Sequence, residues 1–303
     1  MASKLSMLNE ALIVAAKNGD LQTVVSVIDM GADIHFNNDD ALDSASSSGH
    51  LHIVQYLLGR GANIHTDSMD YHNCALSSAA EYGHLHVVKY FVNIISKYIK
   101  IGIIPKNHFH PHIDNDFIID YDYYEFAIRG ACKNGHLDIV KFLIDQGGHV
   151  NPPDCAGEDF PICVASKNGH LAIVKFLIDN GANIHVGAHY DLDDKDYALE
   201  EAISNGHLDV VQLLVNHGVS VNTMCYNGSP LDIAIFDGHL SIVKFLVTNG
   251  VHINSKELNR ALEYKYIDIF MFLKSSLESQ KRKIDDIINN YDSVKRRKID
   301  DRF

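Results

Sequence analysis

The chain has 303 residues, 46% hydrophobic and 21% charged, the balance of an ordinary water-soluble protein able to bury a core. No apolar run approaches the ~18 residues of a membrane-crossing helix, and the opening Met1-Ala2-Ser3-Lys4-Leu5 enters a helical pattern without the apolar core of a secretory signal. A formal net charge of −13 works against non-specific binding of nucleic acid, and five cysteines (Cys74, Cys132, Cys155, Cys163, Cys225) without Cys-x-x-Cys pairing read as reduced thiols of an intracellular protein.

From the N-terminus onward one phrase returns: Asn18-Gly19-Asp20-Leu21, Ser48-Gly49-His50-Leu51, Tyr82-Gly83-His84-Leu85, Asn134-Gly135-His136-Leu137, Asn168-Gly169-His170-Leu171, Asn205-Gly206-His207-Leu208 and Asp237-Gly238-His239-Leu240. Its glycines lie 30, 34, 52, 34, 37 and 32 residues apart, and an eighth copy, Lys265-Tyr266-Ile267, lacks the glycine. Four residues before the glycine, or before Lys265, stands an alanine every time: Ala15, Ala45, Ala79, Ala131, Ala165, Ala202, Ala234 and Ala261. Seven before it stands Leu or Ile: Leu12, Leu42, Leu76, Ile128, Ile162, Leu199, Leu231 and Leu258. The two positions share one face of a helix. An unvarying small residue marks a crowded contact between neighbouring helices, where a larger side chain overpacks.

After the glycine, Leu51, Val54, Leu57 and Leu58 form a helical stripe that Leu171, Val174, Leu177 and Ile178 repeat. The glycine itself fits a left-handed C-cap that reverses the chain. The second helix stops at Gly31, Gly61, Gly147, Gly181, Gly218 or Gly250, and an extended finger follows, as in Ala62-Asn63-Ile64-His65. The spacing predicts an all-α solenoid of eight helix-turn-helix units with β-like fingers, near 7–36, 37–70, 71–104, 123–156, 157–193, 194–225, 226–252 and 253–276. An insert at 105–122 and a charged tail at 277–303 complete the chain. Such units stand only by packing on their neighbours, with the divergent first (Asp20 for His) and eighth (Lys265 for Gly) as caps.

The run from Gly169 through Leu171, Val174, Leu177, Gly181 and His185 resembles the ankyrin-repeat family, and most of all the ankyrin proteins of giant DNA viruses of amoebae. The resemblance covers about 7–276. Its first-helix half departs from the family, because the usual Thr-Pro-Leu-His opening survives only as Ser229-Pro230-Leu231-Asp232, with a weaker echo in Phe160-Pro161-Ile162-Cys163.

Histidine is abundant, 19 in all, but His50, His84, His136, His170, His207 and His239 recur once per unit, and His35, His65 and His185 share one finger position. Residues spread at repeat intervals do not converge on one centre, so both sets read as turn and finger hydrogen-bonding groups. The insert is expected to lengthen the second helix of the third unit through Ile94–Ile101 and then to loop. There His108, His110 and His112 alternate and can present three imidazoles to Zn²⁺ or Ni²⁺. Pro111 interrupts the segment and no fourth ligand is identifiable, so no metal or cofactor is assigned. The run Asp120-Tyr121-Asp122-Tyr123-Tyr124-Glu125, tyrosines interleaved with acids, reads either as a recognition finger or as a solvated loop. No nucleophile arrangement, phosphate loop or paired carboxylates stand outside the repeat, so the chain reads as no enzyme. In the tail, Lys281 and Arg282, then Lys295, Arg296, Arg297 and Lys298, have the spacing of a bipartite nuclear-import signal or of a charged helix end.

The resemblance implies a protein–protein interaction scaffold that grips a partner with finger tips and first-helix positions. The finger candidates are Asn38, Asp39, Tyr71, His72, Tyr123, Tyr124, Glu125, Glu158, Asp159, Lys195, Asp196, Tyr226 and Asn227. The first-helix candidates are Ser47, Glu81, Lys133, Lys167, Ser204 and Phe236. The acidic balance calls for a partner with a basic patch, met by a monomer in a host cytoplasm, or in the nucleus if the tail directs it there. No small-molecule substrate or membrane is called for, and the acids between the tail's basic clusters argue against direct nucleic-acid binding.

Overall fold

The computed structural model describes residues 2–64, 75–100, 124–152, 160–185 and 196–282. Helices come in pairs, and the chain divides into two compact units, Met1–Asn183 and Ile184–Phe303. The first unit holds five pairs: α1 (Ala2–Asn18) with α2 (Leu21–Asp29), α3 (Asp40–Ser47) with α4 (Leu51–Gly59), α5 (Ala75–Glu81) with α6 (Leu85–Lys100), α7 (Glu125–Asn134) with α8 (Leu137–Asp145), and α9 (Pro161–Lys167) with α10 (Leu171–Asp179). The second holds three: α11 (Tyr197–Ser204) with α12 (Leu208–Asn216), α13 (Pro230–Phe236) with α14 (Leu240–Thr248), and α15 (Ser255–Glu263) with α16 (267–282).

The rows read from the sequence are the core of both units. All eight alanines of the first-helix row are buried, seven of them completely or nearly so and Ala15 almost as deeply. First helices stack on first helices, α1 on α3 on α5 on α7 on α9, and α11 on α13 on α15. Only a methyl group fits at such close approach, which is why the row never varies. The partner row, Leu12 to Leu231, is buried beside it, while Leu258 in the last pair is half-buried.

The second helices depart from the expected stripe. Ile53, Val54 and Leu57 are buried in α4, and Ile173, Val174 and Leu177 in α10, but Leu51 and Leu58 are half-buried and Leu171 is exposed. A nine-residue helix wedged against its own first helix and its neighbouring second helices buries adjacent residues and the one a turn on. Helix α6 continues that pattern through Phe91, Val92 and Ile95, which carries it to 16 residues.

The fingers depart as well. Among the described residues no strand forms, and the single β-type contact is an antiparallel bridge between Cys225 and Gly228. The first finger instead folds as consecutive turns, and side-chain oxygens take finger amides that a strand would have paired. The described fingers are thus too short to build a ladder and too well supplied with acceptors to need one.

Several helix caps depart from the repeat. Asp20 stands where later units have His, and its carboxylate accepts from the Thr23 amide (3.0 Å) and hydroxyl. That hydroxyl bond, reinforced by the amide, lowers its pKa. Ser229 caps α13 with Pro230 in the first turn, and Asn254 with Glu257 forms a reciprocal capping box on α15. At the last turn Lys265 holds the left-handed conformation (φ 64°) that glycine holds elsewhere. A side chain there is strained by roughly 1–2 kcal/mol, part of which glycine returns through its looser unfolded chain. Lys265→Gly is therefore expected to stabilise the protein by about 0.5–1 kcal/mol. Urea unfolding checks this through an upward shift of the midpoint at unchanged slope.

Candidate interaction surface

Neighbouring pairs are joined by one repeated contact. The ring Nε2 of the turn histidine donates to the carbonyl two residues before the glycine of the preceding pair: His50 to Lys17 O (3.0 Å), His84 to Ser47 O (2.9 Å), His136 to Glu81 O (3.0 Å), His170 to Lys133 O (3.0 Å) and His239 to Ser204 O (3.0 Å). The ring lies so close that a Cβ built on Gly49 would meet His84 Nδ1 at 2.6 Å. Gly49 is thus required twice, for its positive φ of 75° and for the ring's approach. A second set of histidines, which the sequence reading passed over, reaches the glycine's own carbonyl: His86 to Gly49 O (2.9 Å) and His52 to Gly19 O (3.4 Å). In the last pair Tyr266 takes the histidine's place, its ring against Gly238.

Further contacts follow the same register. Lys89, Lys141 and Lys244 each set an ammonium 5.6–5.8 Å from the ring centroid of Phe142, Phe176 and Phe272 in the next pair. The acid after the core leucine also reaches the next first helix, as Asp43 accepting from the Ser78 hydroxyl and Asp232 paired with Arg260. Burial raises the Asp43 carboxyl above its usual range, and the Ser78 bond only partly offsets it.

A row of buried polar residues three before the core leucine anchors the fingers. Asn9 Oδ1 accepts from Asp33 N (2.8 Å), and Asp39 Oδ1 accepts from both Asn63 N (3.1 Å) and His35 Nδ1 (3.0 Å). Asp196 repeats the arrangement with His185 (2.8 Å). Farther along α11, Glu200, only 4% exposed, accepts from Tyr226 N (2.6 Å), Asn227 N (3.2 Å) and Asn227 Nδ2 (2.6 Å). These groups take the place of the missing Thr-Pro-Leu-His opening: carboxylates and an amide, rather than a hydroxyl and an imidazole, satisfy the finger amides. The recurrence of an acid at Asp39, Glu125, Asp159 and Asp196, always at that offset, was the available signal.

This burial corrects four expected contact residues. Asp39, Tyr124, Glu125 and Asp196 are interior: the two aspartates turn toward finger histidines and Glu125 toward Arg129 (3.9 Å). Others lie on the surface. Asn38 is exposed, as are Asn227, Lys133 and Lys167, and Ser47 and Ser204 are half-buried. Glu81 is engaged with Lys133 Nζ (2.9 Å), a partly exposed pair of small energetic weight. Tyr226 and Phe236 are the large side chains most fully presented among the candidates, at 63% and 61% exposure, with Met224 beside Tyr226 in sequence at 63%. Tyr226 stacks on Tyr197 (centroids 6.3 Å apart), and Phe236 meets Tyr264 edge to face (5.3 Å). Lys281 and Arg282 are exposed at the end of α16.

Tyr71, His72, Tyr121, Tyr123, Glu158, Asp159, Lys195 and the tail residues Lys295, Arg296, Arg297 and Lys298 lie outside the described residues, as do His108, His110 and His112. Among the described residues no three potential metal ligands gather, and no helix is long and apolar enough to cross a membrane. Cys132, Cys163 and Cys225 are buried, and desolvation drives the thiol pKa of Cys132 and Cys225 far up, which leaves those two unreactive.

A family model of ankyrin repeats matches the chain in three copies, over residues 12–104, 104–188 and 185–257. Among solved structures, the crystal structure of the human ASB11 ankyrin repeat domain is similar, with a TM-score of 0.58 at 21% identity, over 80% of this chain and 99% of that one. At that identity the likeness speaks for the fold alone. No functionally curated protein matches the chain.

The anchoring role of Asp39 has a direct test. Asp39→Ala leaves the Asn63 amide and His35 without their acceptor and places alanine at a φ of 62°, so a loss of about 1–3 kcal/mol is expected by denaturant unfolding. Asp39→Asn keeps an acceptor and tolerates that backbone, and should lose clearly less.

Proposed function

This chain belongs to the ankyrin-repeat family, and from that premise we propose that it is a non-catalytic scaffold that captures another protein through the exposed aromatic side chains of its second compact unit. Ankyrin repeats generally mediate protein–protein interaction. The observation that carries the reading is the contrast in how polar and apolar groups are used. Histidines and buried carboxylates are consumed in holding the repeats and fingers together, whereas Met224, Tyr226 and Phe236 are left more than three-fifths exposed.

Tyr226 has the features of an affinity anchor. Three hydrogen bonds to Glu200 and the Cys225–Gly228 bridge hold its finger in place before any partner arrives. A pre-ordered tyrosine loses little conformational freedom on binding and offers both contact area and a hydroxyl. The partner we infer carries an apolar or guanidinium-bearing contact for these rings inside a basic patch, which the −13 net charge attracts over distance. Asn38, Lys133 and Lys167 are further contact candidates in the first unit. The setting we infer, from the resemblance to viral ankyrin proteins, is the interior of an infected amoeba.

The test is affinity capture from amoebal extract with full-length bait, a Tyr226→Ala/Phe236→Ala variant and a variant lacking residues 105–122. A captured protein is expected to bind the aromatic variant at least about 30-fold more weakly, as loss of a binding hot spot does, and its association rate should fall as salt rises. Full binding by the aromatic variant with loss on deletion of 105–122 would transfer the site to the insert and overturn this reading.

A further inference from the structure

Asparagine precedes glycine at seven places: Asn18, Asn134, Asn168, Asn180, Asn205, Asn227 and Asn249. Such a pair carries a latent reaction. The glycine's backbone nitrogen, on losing its proton, attacks the asparagine Cγ, and the side-chain nitrogen leaves as ammonia. Water then opens the cyclic imide to aspartate or to isoaspartate, in which the main chain runs through the former side-chain methylene. Glycine permits the attack because it has no Cβ to hinder approach. Whether a given pair reacts depends on how firmly the structure holds the two groups apart.

Six of the seven side chains are held. Asn168, Asn180, Asn205 and Asn249 donate Nδ2 to the carbonyl one turn back (Val164, Phe176, Glu201 and Phe245) at 2.8–2.9 Å. Asn134 Nδ2 donates to Glu81 O at 2.8 Å, and Asn227 Nδ2 to Glu200 Oε1 at 2.6 Å. In the first four the attacking glycine amide is also engaged, with Gly169, Gly181, Gly206 and Gly250 donating to the carbonyl three residues back at 3.0–3.2 Å. Asn18 differs on both counts. It is exposed at the end of α1, its side chain makes no hydrogen bond among the described residues, and the Gly19 amide lies 3.4 Å from Ala16 O. Gly228 has an equally long bond to Cys225 O, but there the asparagine is tied to Glu200.

We propose that Asn18-Gly19 is a self-modification site of the folded protein, where Asn18 converts to aspartate and isoaspartate ahead of the other six pairs. Its position gives the change a structural consequence. Lys17 O receives His50 Nε2 at 3.0 Å, and a Cβ on Gly19 would already lie 2.7 Å from the His50 ring. Isoaspartate adds a methylene to the main chain between these two points, and either product adds a negative charge next to Asp20. The turn can then no longer hold the glycine under the ring, so the first helix pair loosens from the second.

The experiment incubates folded full-length protein at mildly alkaline pH and maps its peptides by mass, with isoaspartate marked by isoaspartyl methyltransferase. A sample unfolded in urea runs in parallel, and circular dichroism verifies the folded one. One tethering hydrogen bond to break slows a reaction by roughly tenfold, so Asn18 is expected to convert about tenfold or more faster than any other asparagine in the folded protein. The seven should converge in urea, and Asn18→Gln should remove the leading product. Any of the other six keeping pace with Asn18 in the folded sample, or Asn18 staying intact while the urea sample converts, overturns the proposal.

Discussion

The structure depends on a histidine ring of one helix pair lodged over the turn glycine of the pair before it. Three requirements meet there. The chain must reverse through a left-handed residue, the last carbonyls of the first helix need donors, and adjacent first helices must lie close enough to bury an alanine row. Glycine meets the first, the ring Nε2 the second, and the ring's thickness sets a spacing compatible with the third. Because each joint involves only two successive pairs, stability accumulates pair by pair, as expected of repeat proteins. The lysine–aromatic contacts, such as Lys141 over Phe176, reinforce the same spacing on the second-helix side.

Much of this is written in the sequence itself. The alanine and leucine rows, the glycine turns and the once-per-repeat histidines required only that the same residue type return at the same offset, and each is where its periodicity placed it. What the sequence did not reveal were directions within the fingers. Asp39 and Asp196 look like solvated loop acids, and Glu125 follows an acidic, tyrosine-rich run, so all three read as surface. Each sits where the chain enters a helix, and there the side chain turns inward; Asp39 meets a finger amide, a fact of geometry that composition does not carry. The same holds for Glu200, whose importance lies in the Tyr226 finger it pins a repeat away. Leu171 shows the converse error, an apolar residue in the right period that the short helix leaves at its rim.

The division between polar groups that build and apolar groups that are left over shapes the functional reading. In many folds the buried hydrophobic residues are structural and the exposed polar ones are free to act. Here imidazoles and carboxylates are structural too, and among the candidate contacts the large exposed side chains are rings: Tyr226 on its pinned finger and Phe236 against Tyr264. Such rings bind by shape and burial, which suits the scaffold role proposed above.

The central claim, that ring and glycine act as one joint, is tested most directly by a double-mutant cycle on Gly49 and His84, with stability measured by denaturant unfolding. If the His84 ring occupies the space of a Gly49 Cβ while bonded to Ser47 O, then Gly49→Ala is expected to cost markedly more with His84 present than in a His84→Ala background. The predicted coupling is on the order of 1 kcal/mol or more. Costs that simply add would mean that Gly49 serves only its own backbone turn, and the joint described here would not be what holds the repeats together.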